Sequence, residues 1–234
     1  MELSIDTSTR YASVGLSRSG ESIADLTWRS ARNHSVELAP AMRELMARFE
    51  VDMSEIEAVF VARGPGGFSA LRVGMSLAKA LASALEVPLV SAGTLDIEAQ
   101  PHLGLGIPVV TVVEASRGRC YVGRHGESGA PSYDIVSTDD VAVGIESTTL
   151  FCGEGIRAVA EILQRRLGGL ALITDVAPPT RHATVLAQLA YRRWQSGHVD
   201  DTTMLQPIYL RSAQVTKGRQ PWATARPPQP QGVD

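Results

Sequence analysis

A short apolar run that turns through a glycine-proline corner into a helix of small residues, Ala58 to Leu85 (AVFVARGPGGFSALRVGMSLAKALASAL), restricts the folds open to this chain more than any other feature. Ala58 to Ala62 has the length of a buried strand. Gly64-Pro65-Gly66-Gly67 ends it, because glycine reaches backbone angles other residues avoid and proline removes a donor. From Phe68 onward the polar residues Arg72, Ser76, Lys79 and Ser83 recur every three or four positions, one narrow stripe on a helix that is otherwise apolar or small. A helix wetted along a single line needs cover on two sides, from a sheet and from something else. The corner before it could present N–H groups to an anion, although no Lys-Ser/Thr pair follows as in a P-loop; a plain strand-to-helix corner accounts for the same residues.

A chain of 234 residues is long enough for one large domain or two lobes with proper cores. Its net charge of -3 supplies no general attraction to nucleic acid, so RNA contact would need a local patch or a basic partner. Cys120 and Cys152 stand in apolar segments without metal-type spacing and are expected as reduced core thiols. No basic-then-apolar leader opens the sequence and no apolar run approaches bilayer length, which predicts a cytoplasmic protein with no membrane contact.

Leu3 to Ile5, Ala12 to Ser17 and Glu21 to Trp28 read as three strands of an antiparallel meander, the last two joined by a tight Ser19-Gly20 turn. A helix from Val36 to Phe49 follows, with Leu38, Met42, Leu45 and Phe49 on one face and Pro40 comfortable only near its first turn. The corner stretch and a strand from Pro88 to Ala92 complete a mixed sheet with helices on its faces, an α/β arrangement. Ile107 opens a second half: a buried strand, a hairpin partner from Cys120 to His125, further strands at Leu150 to Cys152 and Leu170 to Thr174, and helices at Ile156 to Leu167 and Thr184 to Trp194. At a constant offset Asp6 meets Glu114, Ser8 meets Ser116 and Val14-Gly15 meets Val122-Gly123, an echo that implies a duplicated lobe. Residues 212–234, rich in Pro, Gln and Gly, are expected to form a disordered tail.

Asp6 ends the first strand and is followed by Thr7-Ser8-Thr9. In two-lobed actin-like ATPases an acid at such a turn holds a metal and small residues approach phosphate, with a second acid in the other lobe; Asp6, Ser8 and Glu114 are the candidates here. The same residues would serve a turn closed by an Asx hydrogen bond, and neither turn carries the glycine a phosphate contact favours, so any nucleotide should bind weakly. The five histidines share no one-turn spacing; His34 beside Ser35 suits a helix cap or an interface. No acid-base-nucleophile set can be assigned from spacing, and no metal ligand is expected.

IDTST at the start, His34-Ser35 leading into a helix with Glu37 and Pro40, GPGGFSALRVG at 64–74, Glu114-Ala115-Ser116-Arg117-Gly118, Gly153-Glu154-Gly155 and Pro207-Ile208-Tyr209-Leu210-Arg211 together resemble the TsaB family, also called YeaZ. The resemblance runs in order up to Arg211, the glycine-proline motif being its most specific part. It implies an actin-like (ASKHA, RNase H-like) duplicated two-lobed fold, with lobes at 1–103 and 104–211. It also implies a non-catalytic part in making threonylcarbamoyladenosine at position 37 of tRNA, alongside a TsaD-type catalytic paralogue and a TsaE-type ATPase. The free protein would be a homodimer that meets tRNA only through the complex and requires no cofactor. Such a dimer surface would fall on the first two helices, at His34, Leu38, Met42, Leu45, Leu71, Met75, Ala78 and Ala82. Leu38 stands where the paralogue carries the second histidine of a metal pair. The chain departs from the family in reading Glu114-Ala115-Ser116 where the family usually has Asp-Ala-Arg, and Gly67-Phe68-Ser69-Ala70 where it usually has Gly-Ser-Phe-Thr-Gly. An actin-like small-molecule kinase or ATPase is the rival expectation, and a metallopeptidase a third.

Overall fold

The computed structural model describes residues 1–126 and 129–210, so the tail expected at 212–234 lies outside the described residues. Strands β1 (Glu2–Asp6), β2 (Tyr11–Arg18) and β3 (Glu21–Arg29) form the predicted meander, and β4 (Ala58–Ala62) and β5 (Leu89–Ala92) add to it in parallel, giving the order β3-β2-β1-β4-β5. The β2–β3 turn uses Ser19 and Gly20 at φ of 54° and 74°, the left-handed pair that matches hairpin twist, and buried Glu2 accepts the Ser19 N–H at 2.8 Å. The second half repeats the plan with β6 (Val109–Glu114), β7 (Arg119–His125), β8 (Ser132–Ser137), β9 (Thr149–Cys152) and β10 (Ala171–Ile173) in the order β8-β7-β6-β9-β10. The expected duplication is therefore present in the topology.

Helices α1 (His34–Arg48) and α2 (Phe68–Leu85) cover one face of the first sheet. Alternation along the strands sends Leu3, Ile5, Val59 and Val61 into that layer, where they meet Leu38, Met42, Leu45, Met75, Ala78 and Ala82. This corrects the expected interface: those six helix residues, and Leu71 with them, are buried in the core of their own lobe. An apolar stripe at helical spacing serves the nearest sheet first, so a charge at Met75 or Ala78 would strike this core and not a partner. The second cover that α2 requires also comes from the chain itself. Half-buried Val73, Leu77 and Leu81 lean on the same core, and the segment after residue 200 runs along the other flank, with Lys79 Nζ donating to the Leu205 carbonyl at 3.1 Å.

Further expectations need correcting. Helix α1 begins two residues early, which puts Pro40 in its second turn; the carbonyl this deprives of a donor is that of Val36, a residue 71% exposed and open to water. Helix α2, at 18 residues and a mean hydropathy of 1.2, is long and apolar enough to cross a membrane, yet its most apolar face lies in the core. The lobe boundary at 103/104 also fails. Helix α5 (Ala183–Gln195) returns to the open face of the first sheet, where Leu186, Ala187 and Ala190 pack on Ala58, Phe60 and Val90. Beyond it, Asp200 N–H donates to the Leu89 carbonyl at 2.8 Å and Ile208 N–H to that of Arg63 at 2.8 Å. In exchange α3 (Thr94–Ala99) packs on β6 and β7, while α4 (Ile156–Leu167) covers the other face of the second sheet. A sheet with two apolar faces must be covered twice, and residues 1–103 supply helices enough for only one. Cys120 and Cys152 are buried free thiols as expected, and burial pushes Cys120 up to about 11.

Candidate functional site

Strand β1 delivers Asp6 to the end of the first sheet, where the Thr7-Ser8-Thr9-Arg10 turn crosses to β2. Asp6 Oδ1 accepts the Ser8 N–H at 2.7 Å, the local Asx closure. Asp6 Oδ2 instead lies 2.6 Å from Nε of Arg181, a residue on the segment between β10 and α5. The same guanidinium donates through Nη1 to Glu98 Oε1 at 3.1 Å and Glu154 Oε1 at 3.0 Å, and through Nη2 to Thr9 Oγ1 at 3.1 Å. Glu98 belongs to α3 and Glu154 to the corner after β9, so one buried cation draws together both halves of the molecule. Arg181 and Glu98 are each only 2% exposed.

Three carboxylates around one guanidinium leave an excess of negative charge in a dry site. Burial pushes the Glu98 carboxyl up from its ordinary value, against the pull of Arg181 and with a further push from Glu154. Burial works against the charge on Arg181 too, but Asp6, Glu154 and Glu98 outweigh it, and the guanidinium holds its proton more firmly than in water.

The glycine-proline corner packs directly on the turn. Gly67 N–H donates to the Ser8 carbonyl at 2.8 Å, Thr7 Oγ1 to the Ala70 carbonyl at 2.6 Å, and Thr94 Oγ1 to Ser8 Oγ at 2.8 Å. The corner thus binds the chain's own turn through Gly67, and the hydroxyl and carbonyl of Ser8 are engaged within the protein. His34 is not the helix cap, a position held by Asn33: it is buried, and its Nε2 lies 3.0 Å from the Thr9 carbonyl. A carbonyl only accepts, so Nε2 carries the proton and the imidazole steadies the same turn.

Glu114 does not pair with Asp6 across a shared site. It binds Arg10 at 2.7 Å, both side chains half-exposed. The reason lies in the register. Gly15 faces Ser4 and Gly123 faces Thr111, and each glycine lets a helix close on its sheet; a Cβ there would lie 2.8 Å from Ala183 Cβ or 3.0 Å from Leu95 Cβ. Aligning these two glycines makes Asp6 equivalent to Val113, so Glu114 falls one residue later and on the opposite face of its strand. The acid of the second half that does join Asp6, with Glu98 of the first, is Glu154.

Between the lobes a cavity of about 620 Å³ is lined by Ser8, Thr9, Arg10 and His34, by Phe68 and Ser69 of α2, and by Glu114, Ala115 and Glu154. A divalent ion takes oxygen ligands at about 2.0–2.6 Å, whereas Glu154 on the cavity wall and the buried Asp6 and Glu98 close on guanidinium nitrogens. Among the described residues no group of three or more His, Cys, Asp or Glu is arranged to hold a metal. The residues present therefore do not fit a metal-bound nucleotide at Asp6. Arg181 and Glu98 escaped the sequence reading because one stands in an aperiodic Pro-Pro-Thr-Arg-His loop and the other in a six-residue helix. Glu154 lies within the Gly153-Glu154-Gly155 match, the only signal pointing to any of the three.

Comparison with known proteins agrees with this architecture. Residues 28–217 match the family model described as TsaD, tRNA N6-adenosine threonylcarbamoyltransferase. The tRNA threonylcarbamoyladenosine biosynthesis protein TsaB of Bacillus subtilis is 26% identical over 91% of this chain and 94% of its own length, and that of Haemophilus influenzae 26% identical over 90% and 93%. The solved structure of YeaZ from Pseudomonas aeruginosa superposes with a TM-score of 0.74 at 28% identity, covering 89% of this chain and 99% of that one. The (R)-2-hydroxyglutaryl-CoA dehydratase component A of Acidaminococcus fermentans shares the fold at a TM-score of 0.52 and 12% identity. The duplicated α/β fold is thus the actin-like one that the resemblance implied. With its family model and its TsaB and YeaZ relatives in agreement, the chain belongs to the family of the tRNA N6-adenosine threonylcarbamoyltransferase TsaD, as a member of its TsaB (YeaZ) group.

Proposed function

We propose that this chain is a non-catalytic subunit that binds and stabilises a TsaD-type transferase acting on adenosine 37 of tRNA. The observation that carries the reading is the neutralised acid cluster: Asp6, Glu98 and Glu154 all bond Arg181, and Glu114, the other acid lining the cavity, bonds Arg10, so among the described residues the cavity presents no unpaired carboxylate to hold a metal or move a proton. Docking falls to the outward side of α2, where Arg72, Ser76, Ala80 and Ser83 are exposed. A TsaE-type ATPase would join the pair, tRNA would be met through the assembly, and the free chain would pair with itself on the same stripe in the cytoplasm. The scaffold needs no cofactor. Mixing the purified chain with its TsaD-type partner should give a co-eluting complex by light scattering, and Ala80→Arg should weaken it at least about tenfold while leaving the far-UV circular dichroism unchanged. No co-elution of the unaltered chain would refute the reading.

A second reading, an actin-like kinase or ATPase, draws on the interlobe cavity, whose size suits a nucleotide. Calorimetry with millimolar ATP and Mg²⁺ decides it: the scaffold reading expects at most weak nucleotide binding, and turnover would favour the enzyme.

A further inference from the structure

The acids clustered beside the cleft, Glu154 on its wall and Asp6 and Glu98 buried, come from three separate elements, and one side chain satisfies them together. Arg181 Nε meets Asp6 at 2.6 Å, and Nη1 alone meets both Glu98 at 3.1 Å and Glu154 at 3.0 Å. Thr9 completes the set twice over, accepting from Nη2 at 3.1 Å and donating to Glu154 Oε1 at 3.0 Å. Hard oxygen donors converging on one buried positive centre are what a divalent ion would also require. The centre here is covalently part of the chain, and its planar fork matches carboxylates in a way lysine could not. We infer that Arg181 is a built-in replacement for a divalent cation: it occupies the point between Asp6, Glu98 and Glu154, makes the cleft independent of metal, and ties the two lobes together beside it. Any anion entering the cavity would then do so without a bridging metal. The same cluster supports the scaffold reading, but the two stand or fall separately, since partner co-elution reports on the outer stripe of α2 and metal response on the cleft.

The test uses the full chain and Mn²⁺ as the probe. The unaltered protein should show no stoichiometric Mn²⁺ binding by electron paramagnetic resonance and no change in Tm. In Arg181→Ala, Glu98 and Glu154 already converge on the vacated Nη1 position and need a shift of only about 1 Å to reach metal distances. That variant should gain one Mn²⁺ site and a rise in Tm of about 5–10 °C at a hundredfold excess over Kd, and Asp6→Asn on the same background should abolish both. If Arg181→Ala is unfolded without metal, Mn²⁺ should refold it. A stoichiometric Mn²⁺ site in the unaltered cleft would overturn the inference, as would an Arg181→Ala chain that gains neither binding nor structure from Mn²⁺.

Discussion

Replacing Arg181 by methionine should destabilise the protein by about 3–5 kcal/mol at neutral pH, because it strands three carboxylates in a dry site with the cation they share gone. The loss should depend on pH with a definite sign. Burial already holds the Glu98 carboxyl above its unfolded value of 4.5, and removing the guanidinium takes away the pull that opposes this rise. A group raised in the folded state leaves stability intact below its unfolded value and drains it as pH climbs through the folded one. The variant should therefore lie nearest the unaltered protein around pH 4 and fall progressively behind toward pH 8. Urea midpoints of both proteins across that range measure the difference. A gap of constant size would mean that lost packing, and not stranded charge, carries the effect.

Gly66→Ala should rank beside it. A Cβ at this position would lie 2.0 Å from the Ser8 carbonyl oxygen and 2.9 Å from its carbon, both backbone atoms. Relief requires the corner to part from the β1–β2 turn, with loss of the Gly67 to Ser8 hydrogen bond and displacement of the Thr7 to Ala70 bond beside it. Overpacking against an unyielding backbone together with one or two lost bonds should cost about 3–5 kcal/mol, a drop in Tm of about 10 °C by calorimetry. Gly67→Ala is the control. Its Cβ would meet nothing closer than Ala70 Cβ at 3.7 Å, an ordinary contact, and should change stability by less than about 1 kcal/mol. Equal damage from the two substitutions would show that the corner is not braced against Ser8.

Regular elements were legible in the sequence where their period was carried by enough residues. The meander, the corner strand and helix, and Ile156–Leu167, predicted with the observed ends, all have apolar spacing that only one secondary structure can bury. Helix α3 and strand β8 were missed. One is six residues long with an acid in its first turn, and the other, SYDIVS, places polar side chains on an exposed edge, so neither carries a full period of apolar signal. The echo between the halves was a true sign of duplication, read one residue out of register, because a constant offset cannot register that the second hairpin is one residue longer between its paired positions.

Periodicity thus determined the layers: which stretches are strands and helices, that the lobe is built twice, and that the helix after Gly67 must be covered on two sides. It could not say what covers them, since an apolar stripe specifies burial without naming the surface that buries it. Tertiary structure decided that Leu38, Met75 and Ala78 face their own sheet, that α5 crosses back to close the first lobe, and that residues 203–205 flank α2. It alone decided the chemistry of the cleft as well. Asp6 and Arg181 stand 175 residues apart and meet at 2.6 Å, a pairing set by where two sheets and a returning loop come to rest and by no local spacing of charges.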